Sequence, residues 1–512
     1  MSEIRRQDDL LQKLKSKGKM AWDFLTEQDR EQVSTFAQKY INFLNIAKTE
    51  REAVQEILNQ AREQKFKDIF SQEQDCGGRF YQINRDKNIA LCSLGREDIR
   101  QGIRFIISHI DSPRLDLKPS PLYEEQSLAL LHTHYYGGIK KYHWVALPLA
   151  LHGVVVRGDG SKIEFRIGEK PQDPVFTISD LLPHLSQRIM NEKKLKDAVE
   201  GEKLTILFGH QPLASASAAM PELPLPPASP PASASALPPP PPPPEPSSSA
   251  NHQEEKERIK SNILCLLYEQ YGIVEDDFIS AEIEAVPALP ARSVGLDRSM
   301  VGGYGQDDRI CAYTSLQAIL AQTDPPLHTS LVLFVDKEET GSDGNTGAQS
   351  RFVEMVVGQL LRKAGIKPEE QEQLLREILF CSKALSADVN AGFDPNYPEV
   401  FEKHNTCHLG YGINLCKYVG SRGKYSTNDA SAEYMGEIRR LFNENGVIWQ
   451  AKELGKVDEG GGGTIAKFLA KYGLDMVDCG PPLLGMHSPF EIASKADLYE
   501  TFKAYRVFLE KS

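Results

Sequence analysis

The sequence predicts an α/β fold in which a domain built on a mixed β-sheet is interrupted by an inserted, mainly β domain. Strand and helix patterns occur near the N-terminus, and strands alternate with helices again after about residue 295. Between these regions, residues 120–285 follow a different pattern, with a hairpin and a single amphipathic helix. We therefore expect residues 1–119 and 286–512 to form one main domain and residues 120–285 to form an inserted domain.

The N-terminal region predicts two helices followed by three strands. Thr26 and Thr49 each begin a capping box, and the residues that follow carry apolar side chains at helical spacing. The stretch GRFYQINRDKNIALCSLG, residues 78–95, predicts two strands around a polar turn. The next stretch, IRFIISHID, predicts a buried strand that ends at His109.

The inserted region predicts a hairpin in HGVVVRGDGSKIEFRIG and an amphipathic helix in ERIKSNILCLLYEQYG. Between them, residues 213–252 consist almost entirely of Pro, Ala, Ser and Leu, with an unbroken proline run at 238–244. Such a composition lacks the apolar side chains of a core, so we expect a disordered segment with polyproline stiffness. A surface linker is the simpler interpretation, and docking into an aromatic-lined groove of a partner is the alternative.

Composition excludes several functional classes. The net charge of -12 gives no basic surface for nucleic acid or for an anionic membrane. The eight cysteines contain no C-x-x-C pair, which argues against a zinc ribbon or a disulfide framework. The N-terminus is charged without an apolar signal core, and the apolar run at 144–156 is too short to span a bilayer. We therefore expect a cytoplasmic protein with no membrane partner.

Acidic and imidazole side chains follow apolar strand patterns at five places in the chain. These places carry His109 with Asp111, Asp307 with Asp308, Glu338 with Glu339, Asp388, and His487. Each lies between an apolar run and Gly, Ser or Pro, as expected where strands meet loops at the edge of an α/β sheet. A single such residue is more often a helix cap or a solvated side chain. Together, two imidazoles and several carboxylates without thiolates form a ligand set that suits zinc, manganese or cobalt.

The adjacent pair Glu338 and Glu339 is the most informative of these places. Two metal ions roughly 3.5 to 4 Å apart can polarise a carbonyl and generate hydroxide near neutral pH. One glutamate could bind such a pair while the other moves protons, provided that the strand has ended, because adjacent residues on an extended strand point to opposite sides. Thr340 and Gly341 permit a turn there, whereas Asp308 could instead interact with a helix dipole.

The five motifs together resemble the aspartyl aminopeptidase family of co-catalytic di-zinc metallopeptidases, in which they occur in the same order. Further similarity lies in the stretches YYGGIKKYHW, SADVNAGFDPNYP and DEGGGGTIAKFLAKYG. The resemblance implies a di-zinc exopeptidase-like catalytic domain and two divalent metal ions, zinc first, with cobalt or manganese as alternatives. It also implies an inserted domain that mediates assembly into a tetrahedral homo-dodecamer whose interior admits peptides.

The resemblance also implies a role for each residue of the motifs. By position, His109 and Asp388 would hold one metal ion, Glu339 and His487 would hold the other, and Asp307 would bridge them. Glu338 would be the general base, and Asp111 would orient the His109 imidazole.

Residues that would contact the substrate are implied less directly. A histidine from a neighbouring subunit completes the site in relatives, and His134 or His143 would have that role unless either simply packs at a surface. Family members that prefer acidic N-terminal residues carry a lysine where this chain has Asn414, which leaves the preferred residue open, with Lys424 as a candidate cation. The glycine-rich stretch around Gly462 lacks the lysine-serine/threonine ending of a nucleotide loop. It is either a loop that lines the site or a plain turn.

These inferences predict a metal-dependent aminopeptidase that removes the N-terminal residue from peptides. The alternative is a catalytically inactive, peptidase-like interaction protein that recruits partners through its proline-rich segment. An inactive relative would be expected to lose ligands, and this sequence keeps all of them. Retention of metal therefore distinguishes the two.

Overall fold

The computed structural model describes residues 18–71, 77–214, 257–420 and 422–512. The helices of these ranges are α1 (Glu27–Ile46), α2 (Glu50–Glu63), α3 (Pro183–Ser186), α4 (Leu195–Ala198), α5 (Arg258–Tyr271), α6 (Gln306–Leu320), α7 (Phe352–Lys363), α8 (Pro368–Cys381), α9 (Ala432–Glu444), α10 (Ala466–Leu469) and α11 (Lys495–Lys511). The strands are β1 (Lys67–Asp68), β2 (Arg79–Asn84), β3 (Asn88–Ser93), β4 (Arg104–His109), β5 (Arg114–Glu125), β6 (Leu128–Tyr136), β7 (Leu149–Val156), β8 (Lys162–Ile167), β9 (Ile206–Gly209), β10 (Ala281–Pro287), β11 (Arg292–Val294), β12 (Met300–Gly303), β13 (Ser330–Val335), β14 (Lys383–Ser386), β15 (Asn390–Ala391), β16 (Ile413–Cys416), β17 (Trp449–Ala451), β18 (Asp475–Gly480), β19 (Pro482–Leu484) and β20 (Glu491–Ser494).

A nine-stranded mixed sheet forms the centre of the protein, in the order β1-β2-β3-β13-β4-β14-β18-β16-β17. Its middle strands β13, β4, β14 and β18 run parallel to one another, so their carboxyl ends lie at the same edge. Nearly every residue of these strands is buried, because helices cover the sheet on both sides. Buried side chains of α1, α2, α6, α9 and α11 pack on one face, and those of α7, α8 and α10 pack on the other.

A six-stranded antiparallel sheet, in the order β8-β7-β10-β5-β6-β9, forms a separate layer with α5 packed against it. The sheet begins at Arg114 and ends at Pro287, so the predicted limits 119/120 and 285/286 both fall inside strands. A five-stranded sheet, in the order β11-β12-β20-β19-β15, lies at the carboxyl edge of the central sheet and carries the loop between β19 and β20.

Buried charges connect the six-stranded sheet to the start of α2. His152 of β7 is fully buried, with Nδ1 2.9 Å from Glu52 Oε1 and Nε2 3.1 Å from Glu169 Oε1. Nearby, Arg114 of β5 lies 3.0 Å from Glu284 and 3.5 Å from Glu50. His152 and Arg114 each contact at least two carboxylates, which offsets part of their desolvation, and both link the sheet to α2.

Most of the local predictions are confirmed. Capping boxes at Thr26 and Thr49 begin α1 and α2, strands β2 and β3 form around the predicted turn, and β4 ends at His109. The predicted hairpin is β7 with β8, and the predicted amphipathic helix is α5. Apart from its first two residues, the proline-rich segment at 213–252 lies outside the described residues. In the described part of the chain, no helix is long and apolar enough to cross a membrane, and all seven cysteines are free.

Candidate metal centre

The motifs meet where the carboxyl ends of the parallel strands reach the same edge. In the strand register, Val335 of β13 pairs with His109 of β4, and Ile107 of β4 pairs with Ser386 of β14. The residues that follow these strands therefore emerge side by side, which brings His109, Glu338, Glu339 and Asp388 together. Asp307 joins them from the first turn of α6, and His487 joins them from the loop between β19 and β20.

Ligand atoms of these side chains converge on two positions that share one carboxylate. His109, Asp307 and Asp388 place ligand atoms within 4.8 Å of one another, and so do Asp307, Glu339 and His487. The Asp307 Oδ1 atom lies 3.1 Å from His109 Nε2, whereas its Oδ2 atom lies 3.2 Å from His487 Nε2. Each oxygen of Asp307 thus faces a different imidazole, as expected of a carboxylate that bridges two ions. A third group, formed by His109, Glu338 and Glu339, lies within the same limit.

Asp111 holds both the first imidazole and the glutamate pair. Its backbone carbonyl accepts a hydrogen bond from His109 Nδ1 at 3.0 Å, which leaves Nε2 free to act as a ligand. Its carboxylate accepts the backbone N–H groups of Glu338 at 3.1 Å and Glu339 at 3.2 Å. The Tyr136 hydroxyl donates to the same carboxylate at 2.8 Å, and the Arg114 guanidinium lies over the Tyr136 ring.

The chain turns at the glutamate pair as the sequence predicts. Strand β13 ends at Val335, Lys337 has a left-handed φ of 67°, and Glu338–Thr340 form a single 3-10 turn. Gly341 follows with a φ of 94°, a value that glycine adopts without a steric penalty. The two glutamates therefore leave the strand geometry and direct their side chains to different neighbours.

The electrostatics of the cluster favour cations. Burial raises the pKa values of Glu339 and Asp388, and repulsion by Asp307 and by Glu338, respectively, raises them further. Burial also raises the pKa of Glu338 to about 7. Burial alone would raise the pKa of Asp307, but its hydrogen bonds to the two imidazoles outweigh burial and lower it.

These side chains fit a pair of divalent ions. The Glu339 side chain is only 4% exposed, and its Oε1 atom is buried without a hydrogen-bond partner. Within the described ranges, Lys and Arg form no ion pair with Asp307, Glu339 or Asp388. Crowded carboxylates without a basic partner are costly to bury, and divalent cations would neutralise them. The donor set of imidazole and carboxylate matches zinc, cobalt or manganese.

Two further acidic residues near the cluster were not predicted as ligands from the sequence. Asp308 lies in the first turn of α6, where burial raises its pKa well above the ordinary value. Glu491 was missed. Its carboxylate accepts the backbone N–H groups of both Asp307 and His487. It stands four residues after His487, at the end of the stretch PLLGMHSPFE that carries this predicted ligand. The sequence itself shows only an acidic residue at the end of that stretch, and its contact with Asp307 is visible only in the structure.

The five candidate substrate residues lie in varied surroundings, and their roles stay predictions. His134 is exposed on β6, His143 ends a short 3-10 turn, and neither belongs to the three ligand groups. Asn414 is buried in β16 and donates to the Lys452 carbonyl at 3.3 Å. The remaining two lie in loops: Lys424 pairs with Asp429 at 2.8 Å, and the Gly462 amide donates to the Val419 carbonyl at 3.2 Å.

Known proteins of one metallopeptidase family are similar to this chain over almost its whole length. Residues 43–509 match the family model described as aminopeptidase I zinc metalloprotease (M18). Probable M18 family aminopeptidase 1 of Thermotoga maritima is 46% identical over 97% of this chain and 100% of the relative. The protein of the same name from Clostridium acetobutylicum is 45% identical over 98% of this chain and 99% of the relative.

Solved structures give the same result for the fold. A crystal structure of an M18 family aminopeptidase from Thermotoga maritima matches with a TM-score of 0.85 and 46% identity, covering 97% of this chain and 100% of that one. Aminopeptidase I from Clostridium acetobutylicum matches with a TM-score of 0.83 and 43% identity, covering 97% and 99% of the two chains. The predicted α/β class and the resemblance found in the sequence are confirmed. The chain therefore belongs to the M18 family of zinc metallo-aminopeptidases.

Proposed function

We propose that this protein removes the N-terminal residue from peptides with the help of two divalent metal ions per subunit. Zinc is the expected metal, and cobalt and manganese are the alternatives. The observation that carries the proposal is the sharing of Asp307 between two ligand groups. His109 and Asp388 complete the first group, and Glu339 and His487 complete the second. A bound pair of divalent ions would polarise the scissile carbonyl and lower the pKa of the attacking water.

Glu338 is the residue that moves the proton. It lies with His109 and Glu339 in the third ligand group, but it is not needed to complete either of the two that share Asp307. Burial raises its pKa to about 7 while no ion is bound, and a positioned carboxylate is a group that can both accept and return a proton. In the reaction, its carboxylate takes a proton from the attacking water and delivers it to the departing amine nitrogen as the C–N bond breaks.

Asp111 positions the residues that this mechanism assigns to proton transfer and to metal binding. Because its carboxylate holds the amides of Glu338 and Glu339, it fixes the side chains that would move the proton and bind the ion. Because its carbonyl binds His109 Nδ1, it also selects the tautomer whose Nε2 faces Asp307. Asp111 is therefore a positioning residue for three members of the site.

We further propose that residues 120–285 form an assembly domain and that the protein is a homo-oligomer, with a dodecamer as the expected form. A solved structure described as the S. cerevisiae mApe1 dodecamer shares the fold with a TM-score of 0.69. Exposed apolar side chains in the inserted region support this view, since Leu182, Leu185 and Leu195 are 48%, 63% and 62% exposed. His134 or His143 of a neighbouring subunit would then reach the site. Sedimentation velocity tests the assembly.

We also propose a reducing, cytoplasmic location. All seven cysteines in the described ranges are free, and Cys265 and Cys381 are exposed. Exposed free thiols persist in a reducing compartment and become oxidised outside it.

A peptide panel tests the proposed activity. Short peptides that begin with Asp, Glu, Leu, Lys or Ala are incubated with the protein before chelation, after chelation and after metal return, with N-acetylated peptides as controls. We expect release that requires both metal and a free amine, and the favoured first residue defines the pocket around Asn414. Cleavage of acetylated peptides would indicate an endopeptidase or carboxypeptidase. Full metal occupancy without release from any peptide would instead support an inactive interaction protein.

A further inference from the structure

Glu491 lies between the two loops that carry Asp307 and His487. Its side chain is buried, and each carboxylate oxygen binds a different loop. Oε1 accepts the His487 N–H at 2.7 Å, and Oε2 accepts the Asp307 N–H at 3.1 Å. A single carboxylate therefore links the backbones of the shared ligand and of an imidazole ligand.

The backbone of Glu491 is fixed as well. As the first residue of β20, it pairs with Gly303 of β12, just before the turn that leads to Asp307. Its carbonyl accepts a hydrogen bond from Gln306 Nε2 at 2.6 Å. The carboxylate consequently acts from a rigid strand rather than from a mobile loop, as a group that sets the position of other residues must.

The backbone of His487 requires such support. His487 has a φ of 65°, in the left-handed region that residues with a side chain seldom adopt. The Glu491 carboxylate holds its N–H, while the Gly138 carbonyl contacts its Nδ1 atom at 2.9 Å. These two contacts direct Nε2 towards Asp307 Oδ2 at 3.2 Å and Glu339 Oε2 at 3.4 Å.

The burial of the Glu491 carboxyl group needs a physical explanation. Among the described residues, Lys and Arg form no ion pair with its carboxylate, although it is only 1% exposed. A buried carboxylate of this kind is retained only where its hydrogen bonds matter, since an apolar side chain would fill the space at a lower free-energy cost.

We propose that Glu491 is a positioning residue that sets the spacing between Asp307 and His487 and thereby determines the affinity of the ion held by Asp307, Glu339 and His487. The inference rests on the proposed two-ion function. Asp111 has the corresponding role on the other side, where it holds His109 and the glutamate pair. Because His487 belongs to one ligand group and not to the other, loss of Glu491 affects the two ions unequally.

The test is metal titration of the full-length variant Glu491→Gln against a competing chromogenic chelator, with zinc as the probe. The amide keeps one acceptor oxygen but turns an NH₂ group towards a backbone N–H, which breaks one of the two bonds. We expect one of the two zinc ions to bind roughly 10- to 100-fold more weakly, and the other to change less. Peptidase activity should recover as the zinc concentration is raised, because the general base is intact.

A second variant keeps the functional group and changes only its reach. Glu491→Asp retains the carboxyl group but shortens the side chain, so it reaches one of the two amides and not both. We expect it to weaken the same zinc ion. If Glu491→Gln is recovered unfolded, Glu491→Asp carries the test alone. Wild-type affinity for both ions in Glu491→Asp would then overturn the proposal.

Asp497→Asn is the matched control. Asp497, in the first turn of α11, is also a fully buried carboxylate that bridges two backbone amides, those of Gly410 and Gly412, at 2.7 Å each. Its amide variant should lower the melting temperature and leave both zinc affinities unchanged. If Glu491→Gln shows the same behaviour, its role is structural and the proposal fails. A wild-type protein that binds no zinc would instead contradict the proposed function itself.

Discussion

Replacement of Glu338 by Gln gives the most direct test of the proposed division of labour. Gln has the same shape, and its backbone N–H can still donate to Asp111, so the turn that carries Glu339 should persist. The two ligand groups that share Asp307 do not contain residue 338 and should bind metal as before. The variant removes one property, namely the ability of the side chain to accept a proton.

The expected loss follows from general-base catalysis. A positioned base contributes roughly 10²- to 10⁴-fold to the rate, which corresponds to about 3 to 5 kcal/mol of transition-state stabilisation. We expect kcat to fall by that factor for the best peptide of the panel. KM should change little, because the proposed role of Glu338 belongs to the chemical step rather than to substrate binding.

The assay has two parts, because activity alone does not distinguish a lost base from a lost ion. Initial rates of amino-acid release give kcat and KM, and elemental analysis of the desalted protein gives the metal content per subunit. Two results would refute the reasoning. A variant that loses a metal ion would make Glu338 a ligand, and a variant that keeps kcat within about tenfold of wild type would place the base elsewhere.

The remaining predictions concern four other residues. His487→Ala should lose one metal ion per subunit at a concentration where the wild type keeps two, as measured by elemental analysis. Tyr136→Phe removes the 2.8 Å hydrogen bond to Asp111 and should lower unfolding stability by about 1.5 to 3 kcal/mol, as measured by urea unfolding. Hydrogen bonds to its two flanking carboxylates raise the pKa of His152 against the opposing effect of burial. Its stabilisation is therefore present below its ordinary pKa of about 6.5 and is lost as pH rises through the higher folded-state pKa, so the difference in unfolding midpoint between wild type and His152→Gln should shrink as pH rises above neutrality. A side chain added at Gly462 meets nothing within 4 Å, so Gly462→Val should keep its fold and metal, and unchanged kinetics would exclude this loop from the site.

The residues of the candidate metal centre could be predicted from the sequence because each of them ends or follows an apolar strand or lies at the start of a helix. His109 and Glu338 stand just after continuous buried runs, and such runs reveal where the carboxyl edge of a sheet lies. Glu491 and Tyr136 could not be assigned in the same way. Each acts through a hydrogen bond to a residue far away in the chain, and neither local composition nor periodicity reports on contacts of that kind. Tyr136 also ends an aromatic strand whose pattern matches no clear period.

Strand β5 begins three residues after Asp111, and β6 returns Tyr136 to the same carboxylate. Arg114, which lies over the Tyr136 ring, is itself paired with Glu284 of β10. The six-stranded sheet therefore supports the candidate metal centre directly, through the hydrogen bond from Tyr136 to Asp111. A truncated protein without residues 114–287 would lack the phenol that donates to Asp111, so we expect excision of the sheet to disturb the glutamate pair that Asp111 holds. Chimaeras between relatives should exchange this sheet together with the strand ends it supports.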